Sequence, residues 1–172
     1  VVNEFSAKEL ARVFREYGEE RFAFRIASAI VARRAAEPIA STTELAQIVR
    51  DAIPAAARRT GGNPSKRVFQ ALRIEVNDEL GALRRVLPVV LSSLAVGGRA
   101  VVLSYHSLED RMVKRAFAAA TTSTTPADLP VMSAPAPYRL LTRGAEMADE
   151  AEAAANPRSG SVRLRAVVRE AA

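Results

Sequence analysis

A long helical stripe that leads into a short apolar strand constrains the fold of this chain more than any other feature. Apolar residues recur every three or four positions over Val68–Leu94, which predicts the longest helix of the protein. Pro88 lies within this stripe and predicts a kink or a break near residues 85–88. The run Arg99–Ser104 (RAVVLS) then has the composition of a strand buried on both faces, and a helix over 107–119 follows it. Helix, strand and helix in this order predict an α/β fold.

The part of the chain before this stripe predicts a small all-α domain over residues 1–62. Helical spacing of apolar residues predicts one helix over 6–17 and a second over 19–35. A third helix begins after Ser41 and is stopped by Pro54. Three short helices joined by tight links are typical of a compact helical domain.

Residues 63–172 predict the second domain, which contains the long helix and the strands of the protein. We expect strands at 99–105, near 138–142 and at 162–169, with the helix 107–119 between the first two. No glycine-rich turn follows any of these strands, although such a turn is what lets a backbone approach a nucleotide-like cofactor. The sequence therefore predicts part of a larger α/β domain.

Composition excludes several classes of protein. The 172 residues are 49% hydrophobic and 26% charged, which is too apolar for intrinsic disorder. No segment approaches the roughly 18 apolar residues of a membrane span, so we expect a cytoplasmic protein without a membrane partner. The chain has no cysteine and one histidine, which excludes disulfides, thiolate sites and multi-histidine metal clusters. We therefore expect no metal cofactor.

The positive charge is concentrated in one short segment. The chain has a formal charge of +6, and residues 58–73 contribute five basic and no acidic side chains to it. Such a cluster is typical of a surface that binds a phosphate backbone, although a solvated loop with a few arginines is the simpler alternative. Gln70 and Asn77 share a helix face with two of these cations and could read base edges, or could bond to neighbouring loops as helix polar residues. The candidate RNA-binding residues are Arg58, Arg59, Lys66, Arg67, Gln70, Arg73 and Asn77.

A second candidate site lies where the strand at 99–105 ends. If this strand is parallel to its neighbours, its carboxyl end lies at the edge where open α/β sheets bind ligands. Tyr105 could stack on an extruded base, and His106 and Ser107 could line the same pocket. The alternative is structural, with Ser107 as a helix cap and His106 as a histidine satisfied by its neighbours.

Four segments together resemble one protein family. They look like the C-terminal half of the bacterial 16S rRNA (cytosine-N4)-methyltransferases, the RsmH or MraW family, and they fall in family order. Tyr105 stands where the family often has Phe, and the RSGS stretch varies the usual arginine-rich turn. The segments are YGEERFA (Tyr17–Ala23), NPSKRVFQALRIEVNDEL (Asn63–Leu80), GGRAVVLSYHSLEDRMVKR (Gly97–Arg115) and NPRSGSVRLRA (Asn156–Ala166).

The resemblance implies a fold, a reaction and a substrate. It implies the C-terminal part of a class I, Rossmann-like methyltransferase sheet with an inserted helical domain, and transfer of a methyl group from S-adenosylmethionine to the N4 amine of a cytidine. The substrate would be small-subunit rRNA or the small ribosomal subunit. The family's GGHS and DLGVSS segments lie upstream of everything here, so the resemblance implies no cofactor-binding residue in this chain.

Two expectations depend on the absence of the GGHS and DLGVSS segments from these residues. We expect the chain alone to be inactive, and we expect self-association through the edge of the strand at 99–104, which would lack its upstream neighbour. The alternative function is a noncatalytic basic helical module that binds RNA or DNA. The strand-to-helix corner at Tyr105 distinguishes the two, because a binding module would not need it.

Overall fold

A computed structural model describes residues 1–58, 63–123 and 135–171 of the chain. It divides into two compact units, Val1–Glu79 and Leu80–Ala172. The described residues of the first unit are helical, and those of the second include a three-stranded sheet. The protein is therefore of mixed α and β structure.

The described residues of the first unit form five helices. The helices expected over 6–17, over 19–35 and after Ser41 are all present. In chain order the helices are α1 Ala7–Glu16, α2 Ala23–Arg34, α3 Thr42–Ala52, α4 Ala55–Arg58 and α5 Pro64–Asn77. Side-chain hydrogen bonds to the backbone cap α1 and α3 at their N-termini. The Ser6 hydroxyl accepts from the backbone N–H of Glu9 at 3.3 Å, and the Ser41 hydroxyl accepts from that of Glu44 at 3.1 Å.

The second helix begins four residues later than its apolar spacing predicts. Glu19 has a φ of +48°, which breaks the helical path directly after Gly18. Gly18 itself has no room for a side chain, because a Cβ there would lie 2.8 Å from the backbone oxygen of Arg67 in α5. The turn between α1 and α2 is therefore shaped by the close approach of α5.

The boundary between the units lies after Glu79 and not after residue 62, where the sequence places it. Helix α5 packs against α1 and α3, and its Val68 and Ala71 are fully buried in the core of the first unit. The central members of that core, all fully buried, are Leu10, Val13, Phe14, Ile26, Ile30 and Val49. The basic helix is therefore part of the helical unit.

The expected break near Pro88 is wrong, because the long stripe is broken at Asp78. Asp78 ends α5 in the left-handed conformation, with φ +49° and ψ +39°, which aspartate tolerates better than most residues. Helix α6 then runs over Glu79–Ser93 through Pro88. Leu87 and Leu91, on either side of the proline, are buried in the core of the second unit, and this packing offsets the lost backbone hydrogen bond.

The second unit folds around an antiparallel sheet. Its elements after α6 are β1 Arg99–Ser104, α7 Ser107–Ala120, β2 Tyr138–Leu140, α8 Glu150–Ala155 and β3 Arg163–Arg169, with a short 3-10 turn at Ser159–Ser161. The strands expected at 99–105, 138–142 and 162–169 are all present. The sheet order is β1-β3-β2, and β3 runs antiparallel to both neighbours. The parallel neighbour expected for β1 is therefore not among the described strands.

Among the described residues of the second unit, helix α7 covers one face of this sheet, whereas the other face is left uncovered at β1, although Ala166 and Val168 of β3 are buried on it. On the covered face Ala100 and Val167 pack with Val113 and Phe117 of α7, and Tyr138 of β2 donates its hydroxyl proton to the Leu91 carbonyl at 2.8 Å. On the other face Val101 is 58% exposed and Leu103 is 51% exposed. The expectation of a strand buried on both faces is wrong for the described residues, and β1 lies at the edge of their sheet.

Candidate nucleic-acid interface

The N-terminus of α5 fixes the position of the basic residues in the first unit. The Asn63 side chain caps the helix by accepting from the Ser65 N–H at 3.0 Å, and Pro64 occupies the first helical turn. The Ser65 hydroxyl donates to the Ala46 carbonyl of α3 at 3.4 Å. The start of α5 is thus tied to α3, so the side chains that follow project from a fixed helix.

A shallow groove of about 460 Å³ follows this helix, and it contains three of the candidate RNA-binding residues. Lys66, Gln70 and Arg73 line the groove together with Asn63 and Phe69. The helical spacing that placed these residues on one face is therefore confirmed by the structure. The side chain of Arg58 and all of Arg59 lie outside the described part of the chain.

Two of the described cations on α5 already have carboxylate partners. Arg73 forms a two-point contact with Glu79, from Nε to Oε1 at 2.8 Å and from Nη2 to Oε2 at 3.0 Å. Arg67 Nη1 lies 4.0 Å from Oε2 of Glu20, a carboxylate that is 3% exposed. Lys66 is exposed and forms no ion pair with any residue that the structure describes. The surface is therefore less positive than the sequence alone indicates.

Gln70 and Asn77 differ in what they contact. The Gln70 amide is half-buried and donates to the Tyr17 carbonyl at 3.3 Å, which is the structural alternative for this residue. The Asn77 amide is exposed and donates to Glu79 Oε1 at 3.2 Å. Glu79 therefore holds two of the seven candidate residues, a role that the sequence did not reveal.

The corner between β1 and α7 is held by a reciprocal cap centred on His106. His106 Nδ1 accepts from the Glu109 N–H at 3.4 Å, while Glu109 Oε2 accepts from the backbone N–H groups of Tyr105 at 2.7 Å and His106 at 3.2 Å. His106 therefore caps α7, whereas the structural alternative for this corner assigned the cap to Ser107. A histidine that accepts through Nδ1 carries its proton on Nε2 when neutral.

The other nitrogen of His106 faces the same carboxylate. Nε2 is buried and lies 3.5 Å from Glu109 Oε1, too far for a strong hydrogen bond. The His106 side chain is 10% exposed. Both ring nitrogens are therefore directed at Glu109, which favours the structural alternative over direct contact with a substrate.

A partly buried ion pair joins this corner to the last strand. Arg165 of β3 donates from Nε to Asp110 Oδ1 at 2.7 Å and from Nη2 to Oδ2 at 3.1 Å. These hydrogen bonds lower the pKa of the Asp110 carboxyl below its ordinary value, although partial burial acts in the opposite direction. The pair links the two C-terminal segments of the resemblance, and nothing in the sequence indicated it.

Tyr105 lies on a cleft of about 550 Å³ on the uncovered side of the sheet. Its apolar wall is formed by Leu103, Val162 and Leu164, and the Tyr105 ring is 58% exposed. Of the three residues predicted to share a pocket, Tyr105 is the one that the cleft brings to its surface. Polar residues also line the cleft, and they include Glu146, Glu152, Asn156, Arg158 and Ser159.

No helix among the described residues is long and apolar enough to cross a bilayer. Nor do the described ranges 1–58, 63–123 and 135–171 bring together three histidine, aspartate or glutamate side chains able to hold a metal ion.

The sequence matches a known family model over almost its full length. Residues 1–170 match the model described as the MraW methylase family. The chain belongs to this family. The resemblance drawn from the four segments is thereby confirmed.

Curated relatives named "Ribosomal RNA small subunit methyltransferase H" agree with this membership. The protein from Acidothermus cellulolyticus is 66% identical over 168 residues, which cover 96% of this chain and 51% of the relative. Those from Saccharopolyspora erythraea and Thermobifida fusca are 64% and 62% identical, with 98% of this chain and 52% of each relative covered. The chain thus spans about half the length of the curated relatives it matches.

The turn between β1 and α7 lacks the glycines with which strand-to-helix turns bind a nucleoside-type methyl donor. β1 ends at Ser104 and α7 begins at Ser107, with no glycine between them, so this strand-to-helix turn does not let a ligand approach the backbone closely. The corner is instead occupied by the cap between His106 and Glu109. We therefore assign no step of a reaction to a cofactor held by these residues.

Proposed function

We propose that the chain is the RNA-binding part of an enzyme that transfers a methyl group from S-adenosylmethionine to the N4 amine of a cytidine in 16S rRNA. The observation that carries this proposal is the family match over residues 1–170. The names of the curated relatives support rRNA of the small subunit, free or in the ribosomal subunit, as the partner. Such an enzyme acts in the cytoplasm.

In this proposal α5 is the docking surface for the phosphate backbone. Lys66 is exposed without an ion pair in the described part of the chain, and Arg67 and Arg73 project from the same helix. Arg58 and Arg59 extend the basic segment in the sequence. Lysine and arginine side chains on a fixed helix neutralise phosphates and position RNA without reading its sequence.

The cleft beside Tyr105 suits the target base. The exposed Tyr105 side chain offers a surface on which an unpaired base can stack, and Leu103 and Leu164 line the same cleft. The N4 amine of cytosine is a poor nucleophile because its lone pair is delocalised into the ring. Glu146 and Glu152 on the cleft bear acceptor groups for the N–H bonds of such an amine, which can hold it in position.

A methyl-transfer assay tests this division of roles. The 172-residue chain and the full-length Acidothermus cellulolyticus relative are incubated with tritiated S-adenosylmethionine and small-subunit rRNA. We expect no labelled RNA from the chain alone, and we expect excess chain to inhibit the full-length relative by occupying the RNA. Labelled RNA from the chain alone would overturn the assignment of the cofactor to the rest of the enzyme, and a failure to inhibit would overturn the RNA-binding role.

One observation favours a second candidate, a noncatalytic RNA- or DNA-binding module. The first unit has a closed core of its own and contains all the candidate RNA-binding residues that the structure describes. The Tyr105→Ala variant distinguishes the two candidates. A binding module keeps its full affinity for a cytidine-containing RNA loop in this variant, whereas the enzyme fragment loses part of it.

We also propose that the isolated chain self-associates through β1. This strand is at the edge of the described sheet and exposes Val101 and Leu103 on its uncovered face. Two copies that pair antiparallel with Val101 opposite Val101 would continue the sheet and bring these side chains together on one face. Light scattering during size-exclusion chromatography tests this, and a monomer at high concentration would exclude it.

A further inference from the structure

Glu79 occupies an unusual place on the basic surface of α5. Its carboxylate accepts from Arg73 at two points and from Asn77 at a third, so a single acidic side chain holds two candidate RNA-binding residues. The left-handed turn at Asp78 brings Glu79 back beside the end of α5. The side chain of Glu79 is 25% exposed, whereas the side chain of its partner Arg73 is 56% exposed.

We propose that Glu79 is a built-in competitor for RNA phosphate at Arg73 and sets how tightly α5 holds RNA. This inference rests on the proposed RNA-binding role of α5. A carboxylate and a phosphate use the same geometry on a guanidinium, two parallel hydrogen bonds to one edge. Glu79 already fills the edge formed by Nε and Nη2 of Arg73.

A phosphate that approaches Arg73 therefore meets Glu79 whichever edge it uses. On the Nε edge it must displace the carboxylate, and on the outer edge it shares Nη2 with a second negative group. Both arrangements weaken binding, since like charges this close repel one another. The ion pair is largely exposed to water on the arginine side, so the exchange of partners is small in free energy and readily reversed.

Glu75 provides a matched control on the same helix. Among the described residues it forms one ion pair, with Arg12 of α1 at 3.1 Å, and its side chain is 18% exposed. Arg12 retains Glu16 as a second partner at 3.0 Å and does not line the groove of α5. Glu75→Gln thus changes the net charge of the unit as Glu79→Gln does, without releasing a groove residue.

The experiment measures RNA affinity across a salt series. The chain is titrated against a fluorescein-labelled single-stranded oligonucleotide of small-subunit rRNA sequence and followed by fluorescence anisotropy. We expect Glu79→Gln to bind about fivefold more tightly than the parent chain and Glu75→Gln less than about twofold more tightly. The slope of log affinity against log salt should steepen by about 0.7 for Glu79→Gln alone, as expected for one added phosphate contact.

A double variant shows whether the gain in RNA affinity requires Arg73. In an Arg73→Gln background, Glu79→Gln should add no more than Glu75→Gln does, because the released partner is absent. Equal effects of Glu79→Gln and Glu75→Gln in the parent chain would overturn the competitor role while leaving RNA binding intact. An absence of RNA binding by the parent chain would overturn the proposed docking surface as well. Circular dichroism confirms that each variant is folded.

Discussion

The two units of the chain bury their apolar residues to different extents. In Val1–Glu79 the helices enclose a core in which Phe14, Ile26 and Val49 are fully buried. In Leu80–Ala172 one face of the sheet is buried under α7, while Val101 on the other face is 58% exposed. The first unit therefore closes its core with its own side chains. The second presents a surface that suits a partner, and its cleft lies on that surface.

The largest effect on stability is expected from a substitution in the closed core of the first unit. Phe14→Ala should lower the free energy of unfolding by about 3–5 kcal/mol, because it leaves a cavity where a fully buried ring packed. Urea unfolding followed by circular dichroism measures this change. Val101→Ala, on the uncovered face of the sheet, is the matched comparison and should cost less than about 1 kcal/mol. Equal costs would contradict the difference between the units.

A smaller effect tests the ion pair that stabilises the second unit. Asp110→Asn should cost about 1–3 kcal/mol, since it leaves the Arg165 guanidinium with a neutral partner in a largely buried place. Urea unfolding at pH 7 measures this cost. An unchanged midpoint would show that the pair contributes nothing to the stability of the sheet.

The same pair gives the second unit an acid-sensitive stability. The pKa of Asp110 is lowered in the folded state, so its contribution is present above its unfolded pKa of about 3.9 and is lost as the pH falls through the lower, folded pKa. Urea unfolding between neutral pH and about pH 2 should show this loss in the parent chain. In Asp110→Asn that part of the pH dependence should be absent, and its persistence would assign it to other carboxyl groups.

An effect on affinity alone is expected for the exposed face of α5. Lys66→Gln should weaken binding of single-stranded RNA and reduce the slope of log affinity against log salt by about 0.7, with no change in the unfolding midpoint. Lys8→Gln on α1, at a lysine outside this groove, is the control. If both variants lose the same affinity, RNA is attracted by net charge and does not dock on α5.

The smallest effect on stability is expected on the uncovered face. Val101→Thr should change the free energy of unfolding by less than about 0.5 kcal/mol, because the side chain is already exposed to water. It should nevertheless reduce self-association by making the face of β1 less apolar. Sedimentation equilibrium of the two proteins compares them, and an unchanged association constant would remove β1 from the interface.

Local signals predicted the elements of both units well. The spacing of Ser6 and Glu9 predicted the start of α1, and the β-branched run Arg99–Ser104 predicted β1, because capping and strand preference depend on neighbours in sequence. A kink or a break in the long helical stripe was predicted near Pro88, whereas the break occurs at Asp78. Packing of Leu87 and Leu91 outweighs the proline, and such packing is not a local property.

The charged partners of the site could not be predicted in the same way. Residues 58–73 contain no acidic side chain, yet Glu20 reaches Arg67 from the turn before α2, and Glu79 holds Arg73. The antiparallel pairing of β1 with β3 likewise joins segments about 60 residues apart. Contacts of this kind follow from the packed fold, and no periodicity in the sequence encodes them.

Ultraviolet crosslinking of the chain to small-subunit rRNA, read by mass spectrometry, tests the central claim most directly. The account predicts crosslinked peptides from two places, the exposed face of α5 around Lys66 and the cleft at Tyr105. Crosslinks spread evenly over the surface, or confined to α1 and α3, would contradict the claim that this chain is the RNA-binding part of a methyltransferase.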